Sequence, residues 1–183
     1  MENVQAKAPL KTTNRAKWIA LTGLFMAFNI IMSSFGIPVP GGHLYLCDAI
    51  ICTAALLLDP VAAFIVGGVG SFLGDMLFYP APMFVSLVTH GLQAVAISLI
   101  ASRGRGQDQL KHFSSSLIGT LVGAVIMVVG YTLGKTFVYS TFEYAMIKLP
   151  YEIAQALLGV VASLLLYYKA GLGKIFQRME YNS

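Results

Sequence analysis

The sequence predicts an all-α integral membrane protein with six transmembrane helices and both termini on the cytoplasmic side. Composition is the first reason: 57% of the 183 residues are hydrophobic and only 11% are charged, against roughly a quarter charged in soluble domains. The surface of a soluble protein this small could not hide so much apolar side chain. Segmentation is the second: most of the apolar runs approach the ~20 residues a helix needs to cross a bilayer, with polar or Pro/Gly-rich breaks between them. The third is that the basic residues gather in alternate breaks. A water-soluble enzyme, a disordered regulator and a secreted disulfide scaffold are excluded on composition.

Residues 1–17 form a polar, basic N-terminal segment, residues 18–168 the transmembrane domain and residues 169–183 a C-terminal tail. The first run spans Trp18 to about Phe35. It continues into Gly36-Ile37-Pro38-Val39-Pro40 without a small-residue cleavage site, so it reads as a retained span. Pro38, Pro40, Gly41 and Gly42 are too rich in turn formers for helix. The second run, Tyr45 to Leu58, is short for a crossing and implies tilt or shielding by its neighbours; Asp59-Pro60 ends it. The third, Val61 to Phe78, carries Gly67, Gly68, Gly70, Ser71 and Gly74 and stops at Tyr79-Pro80-Ala81-Pro82. The fourth covers Met83 to Ala101, and Ser102 to His112 is polar. The fifth covers Ser115 to Val138 and the sixth Phe142 to Tyr168.

With the N-terminus inside, Lys7, Lys11, Arg15, Lys17, Arg103, Arg105, Lys111, Lys169, Lys174 and Arg178 are cytoplasmic. Only Lys135 and Lys148 of the 12 basic residues are then outside, which satisfies the positive-inside rule. That layout of charge fits a lipid bilayer as partner and not nucleic acid.

Ionisable side chains within spans are costly and mark a function or a partner. On this topology Asn29, Asp48, Asp75, His90, Lys135, Lys148 and Glu152 all fall in the outer half, with Tyr45, Tyr79, Tyr131, Tyr139, Tyr144 and Tyr151. The inner half is nearly all Leu, Val, Ile and Ala. A pore needs polar residues throughout its length, so the pattern describes a cup open to one side. Ser86, His90 and Gln93 share a face of span four by their i, i+4, i+7 spacing. Lys148, Glu152 and Gln155 repeat it on span six, and Ser71 and Asp75 share a face of span three. Such stripes could hydrogen-bond a small heterocycle while aromatic rings stack on it. The alternative is mutual satisfaction, Asp75 with His90 or Glu152 with Lys148, with Lys135 and Lys148 as interface-anchoring lysines.

Gly67, Gly70 and Gly74 permit close helix approach or leave backbone space for a ligand. Ala16, Ala20, Gly23 and Ala27 form a small-residue stripe on span one, suited to internal packing or to docking another subunit. Cys47 and Cys52 read as buried thiols, since two cysteines make no disulfide framework or metal-ligand pattern.

Catalytic signatures are missing. Gly171-Leu172-Gly173-Lys174 lacks the upstream glycine and the following Ser/Thr of a phosphate loop. Val69-Gly70-Ser71-Phe72 lacks the second glycine of a nucleophile elbow. The three histidines are scattered, and no Asp-rich cluster exists to hold magnesium.

From Lys17 to Leu166 the chain resembles the substrate-binding S components of energy-coupling factor (ECF) vitamin transporters. The resemblance rests on six short spans, the small-residue stripe of span one and the segment from Leu58-Asp59-Pro60-Val61 through Gly67-Gly68-Val69-Gly70 to Gly74-Asp75. That segment is similar to the family's Gly/Pro-rich junction of spans two and three, although Asp59 stands where many members have glycine. Gly42-His43-Leu44-Tyr45-Leu46-Cys47-Asp48, the Tyr79–Pro82 loop and Thr89-His90-Gly91 resemble the branch assigned to hydroxymethylpyrimidine and linked to pyridoxine. Riboflavin fits less well, since fewer outer-half apolar gaps remain for a tricyclic ring.

The resemblance implies a mechanism and a set of residues. Tyr45, Asp75, Tyr79, Phe84, His90 and Glu152 would bind substrate, and the loop Ile37 to Leu44 would act as a lid. Ala16, Ala20, Gly23 and Ala27 would dock on a transmembrane coupling subunit carrying two ATPase subunits. The S component would then tip over in the cell membrane to release substrate, with no cofactor of its own and ATP used only by the partners. The competing readings are a stand-alone proton- or ion-coupled carrier using Asp75, His90 and Glu152 as a relay, a small membrane enzyme, and a scaffold.

Overall fold

The computed structural model describes residues 15–40 and 42–181; Lys7, Lys11 and Gly41 lie outside them. Among the described residues, five helices are long and apolar enough to cross a membrane. These are α1 (Arg15–Ser34), α3 (Pro60–Phe78), α4 (Met83–Ser102), α5 (Gln109–Tyr139) and α6 (Phe142–Lys169). The shorter α2 (Cys47–Leu57) lies between α1 and α3 in the chain. A C-terminal helix, α7 (Leu172–Tyr181), follows α6.

Every expected apolar run is a helix, and the differences lie at the edges. α5 starts at Gln109, six residues before the expected Ser115, because the polar stretch before the span joins its first turn. The Pro/Gly loop is an antiparallel hairpin of β1 (Gly36–Val39) and β2 (Gly42–Tyr45), with Gly36 opposite Tyr45 and Val39 opposite Gly42. Pro38 is tolerated because a two-stranded ribbon has free edges. Gly42 has φ +131°, a conformation reserved for glycine. The expected tail contains α7, whose Phe176 is buried against Phe25 of α1 at a centroid distance of 6.0 Å. A ten-residue amphipathic segment with Lys174 and Arg178 carries no span-length signal, so hydropathy alone passes over it.

The 11-residue α2 is the axis of the core. Ile51 to Leu57 are all buried, packed with Ala62, Ala63 and Val66 of α3 and Ala94, Ile97 and Ala101 of α4. Shielding by protein thus explains a segment too short to face lipid along a whole crossing. Small side chains let the neighbours close in. A Cβ on Gly67 would lie 2.7 Å from the carbonyl oxygen of His90, and one on Gly159 would lie 2.8 Å from Cβ of Asp48. The glycine string of α3 therefore serves packing: Gly67 meets α4, while Gly70 and Gly74 meet Asn29 and Ser33 of α1. The outer faces carry exposed apolar residues such as Leu24, Val61, Leu92, Val125 and Leu157, as lipid contact requires.

Capping marks the α2–α3 junction. Asp59 caps α3, accepting from the backbone N–H of Val61 (3.0 Å) and Ala62 (3.2 Å), with Pro60 in the first turn. Three helices contain a π turn, at Ile65–Val69, Lys135–Tyr139 and Leu165–Lys169. The first frees the carbonyl of Val66, which accepts from Nδ2 of Asn29 at 2.7 Å. The second is closed by the i→i+5 bond from the N–H of Ser140 to the carbonyl of Lys135.

Candidate functional site

The C-terminal ends of α1, α3 and α5 meet the N-terminal ends of α2, α4 and α6 beneath the hairpin. Between them lies a cavity of about 550 Å³, its open mouth included. Its walls are Ser33, Tyr45, Cys47, Ser71, Asp75, Tyr79, Pro82, His90, Met127, Tyr131, Tyr139, Lys148, Glu152 and Gln155. The structure therefore brings Tyr45, Asp75, Tyr79, His90 and Glu152 to one cavity. It does not bring Phe84, which is 61% exposed and packs on Phe72 at 5.6 Å. The reason is helical phase: Phe84 is two residues, about 200°, from Ser86, and Ser86 is on the inward face.

Behind the walls, buried polar groups are tied together. Asp48 at the start of α2 accepts from Nε2 of Gln93 (2.9 Å) and Nε2 of Gln155 (2.6 Å). The Gln155 carbonyl accepts from the backbone N–H of Tyr45 at 2.9 Å, pinning the hairpin to α6. Oε1 of Gln93 lies 2.6 Å from Nδ1 of His90. A carboxamide oxygen only accepts, so with this amide orientation Nδ1 bears a hydrogen and donates it. Asp75 accepts from the Ser86 hydroxyl, which accepts in turn from Tyr131. Lys135, 1% exposed, is ion-paired with Glu152, and its Nζ lies 5.0 Å from the Tyr131 ring centroid.

Neither mutual pairing expected from sequence is the direct contact. Asp75 bonds Ser86 and not His90, and Glu152 pairs with Lys135 and not Lys148. Lys135 is correspondingly a buried partner and not a snorkelling anchor. Sequence could nominate Lys135 as an ionisable group in a span but could not phase it, because the π turn at 135–139 shifts the helical register. Met127, Ser33 and Cys47 gave no signal as lining residues, being ordinary in an apolar run. Outside the spans, burial and the nearby Asp75 carboxylate push the Tyr45 phenol above its usual range, keeping it a neutral donor.

Cys47, Asp48 and His90 offer ligand atoms all within 4.8 Å of one another, a separation that a metal ion could bridge. Both Asp48 oxygens and Nδ1 of His90 are already engaged by the two glutamines. The hydrogen-bond network accounts for the cluster.

The small-residue stripe lies elsewhere on α1. Ala16, Ala20, Gly23 and Ala27 are all exposed, and a Cβ built on Gly23 meets nothing within 4 Å. The opposite face of α1 is buried through Thr22, Phe25, Asn29 and Ser33.

A polar, aromatic-lined cavity at one end of a bundle of membrane-length helices is the geometry of a small-molecule binding site in a membrane protein. Residues 13–172 match the family of the ECF-type riboflavin transporter, S component, and the chain belongs to that family. It is therefore a multi-pass membrane subunit of an ECF transporter and not an enzyme, and it works with a coupling subunit and ATPases. An uncharacterised protein of the gap 3′ region in Pyrococcus woesei is 30% identical over 144 residues, 78% of this chain and 88% of the relative. A UPF0397 protein of Exiguobacterium is 29% identical over 118 residues, 63% of this chain and 64% of the relative. A UPF0397 protein of Streptococcus agalactiae is 24% identical over 135 residues, 70% and 74% of the two chains.

Proposed function

We propose that this S component captures a small, neutral, hydroxymethylated aromatic heterocycle, hydroxymethylpyrimidine or pyridoxine, from outside the cell and delivers it through an ATP-driven ECF complex. The observation that carries the reading is the cavity itself. Tyrosine rings (Tyr45, Tyr79, Tyr131 and Tyr139) and polar groups line it together, the mixture that suits an aromatic ring bearing hydrogen-bonding substituents. Of the ionisable lining groups, Glu152 is paired with the buried Lys135 and Asp75 is bonded to Ser86, so the wall satisfies part of its own charge. The relatives' family takes its name from riboflavin. Riboflavin, a tricyclic ring with a polyol chain, therefore serves as the comparison ligand.

The orientation follows from charge. Arg15, Lys17, Arg103, Arg105, Lys111, Lys169, Lys174 and Arg178 are at the helix ends away from the cavity, and Lys135 and Lys148 are at the cavity end. With the positive-inside rule, α1–α6 form a six-helix domain with both termini cytoplasmic and the cavity facing out. The hairpin is the lid. Gly42 passes close to the Tyr144 hydroxyl and Nζ of Lys148, and the Tyr45 N–H is bonded to Gln155, so lifting the ribbon opens the mouth.

Delivery uses the stripe Ala16, Ala20, Gly23 and Ala27 as the surface that docks on the coupling subunit. All four residues are exposed and small, and a Cβ built on Gly23 meets nothing within 4 Å, as close helix approach in a membrane requires. The test is uptake by the assembled complex carrying Ala20→Leu with Gly23→Leu. Substrate binding by the isolated chain stays at the wild-type level while uptake is lost; undiminished uptake would disprove docking through this face.

A further inference from the structure

Three buried side-chain oxygens have no hydrogen-bond partner among the described residues: Oγ1 of Thr22, Oδ1 of Asn29 and Oε2 of Glu152. Of these residues only Glu152 lines the cavity. It is 3% exposed, and its other oxygen is held by Lys135 from across the wall. The carboxylate is thus fixed at one end and unfinished at the other. A buried acceptor left bare is unfavourable, and its cost exceeds what an ordinary hydrogen bond contributes. The arrangement makes sense when the missing donor arrives with the ligand.

We infer that Glu152 is a specificity-determining residue, its Oε2 accepting an N–H or O–H of the bound heterocycle while Lys135 holds the carboxylate in place. The inference rests on the proposed function and sharpens it, since the substrate must bring a hydrogen-bond donor to this wall. Its supports come from both helices. Lys135 opens the π turn that ends at Tyr139, so α5 supplies the holding cation and a cavity-lining ring from one irregular turn. On α6, Glu152 and Gln155 both line the cavity from one face of the helix. The ammonium of Lys135 over Tyr131 is itself stabilised by the ring face. A ligand with a donor completes the set, whereas an isostere carrying an acceptor at that position faces a carboxylate oxygen and is rejected. Discrimination of this kind is strong because the wrong ligand leaves a buried polar group unpaired.

The test is a ligand–protein double-mutant cycle on the full chain in detergent, read by calorimetry. The probes are 4-amino-5-hydroxymethyl-2-methylpyrimidine, pyridoxine and analogues of each in which a single amino or hydroxyl donor is replaced by hydrogen. For Glu152→Gln the affinity for a parent ligand falls about tenfold or more, and for one analogue the fall is about threefold or less. Equal losses for every analogue of a parent that binds would overturn the inference.

A second arm needs no ligand. Replacing the pair together, Lys135→Met with Glu152→Leu, leaves the thermal midpoint of the ligand-free chain unchanged or raises it, because the unfinished carboxylate is removed with its partner. A clear drop in midpoint would show a structural pair and sink the inference. If none of the probes binds the wild type, the substrate reading fails, and this second arm still decides the role of Glu152.

Discussion

The two ends of the helix bundle treat buried polar groups in opposite ways. At the cavity end, Asp75, His90, Glu152 and Gln155 bond sideways to other side chains and line the cavity, with Asp48 tied to Gln93 and Gln155 behind them. At the far end, side chains close off backbone groups and each other. Ser98 donates to the carbonyl of Leu58, Arg105 to that of Leu56, and Tyr168 to that of His112. Trp18 donates to Asp59, whose other oxygen caps α3. The rings of Tyr167 and Tyr168 meet at 4.7 Å, tilted by 60°, beside His112. At one end the side chains named bond to the protein's own backbone and to each other; at the other they border a cavity. The difference is that of a cup with one polar end.

Substitutions can break that contrast, and the largest effect is expected where a charge is stranded. Lys135→Met leaves Glu152 buried without its cation and costs about 3–5 kcal/mol, read by thermal denaturation in detergent; a loss near zero would mean that the pair is not desolvated. Next is Gly67→Ala, whose Cβ would press on the His90 carbonyl oxygen and on Ala94 at 2.7 and 2.8 Å. The cost is about 1–3 kcal/mol, and ligand affinity falls with it because His90 must move. Asp59→Ala removes the α3 cap and the Trp18 acceptor at the far end. It costs about 0.5–2 kcal/mol and shifts Trp18 fluorescence, with ligand affinity unchanged. The smallest stability effect belongs to Ala20→Leu with Gly23→Leu, within about 0.5 kcal/mol as for exposed sites. A large loss there would show that the stripe packs internally.

Much of this contrast is legible in the sequence, because both periodicity and cost are local. Ser86, His90 and Gln93 announce one face of a regular helix, and all three are buried. The positions of Asp75, Glu152 and Tyr79 near one set of span ends are enough to place them in a common cavity. What is not legible depends on irregular backbone or on partners far apart in the chain. The Lys135–Glu152 pair joins two helices through a π turn that no local propensity signals. Gln155 reaches both Asp48 and the Tyr45 N–H across more than 100 residues of chain. Phe84 is close to the site in sequence, but its helical phase turns it outward. The pairing of the two short hairpin strands leaves no local signal among Pro38, Pro40, Gly41 and Gly42.

The structure also settles how binding should be read. The single tryptophan, Trp18, is bonded to Asp59 at the end away from the cavity, so its emission is insensitive to a ligand and calorimetry is the sound readout. The most direct test of the account is calorimetric titration of the purified chain, without coupling or ATPase subunits, with hydroxymethylpyrimidine, pyridoxine, thiamin and riboflavin. The account predicts tight one-to-one binding of hydroxymethylpyrimidine or pyridoxine and much weaker binding of the two larger vitamins. Tight binding of riboflavin with none of the single-ring ligands, or no binding of any of the four, would contradict it.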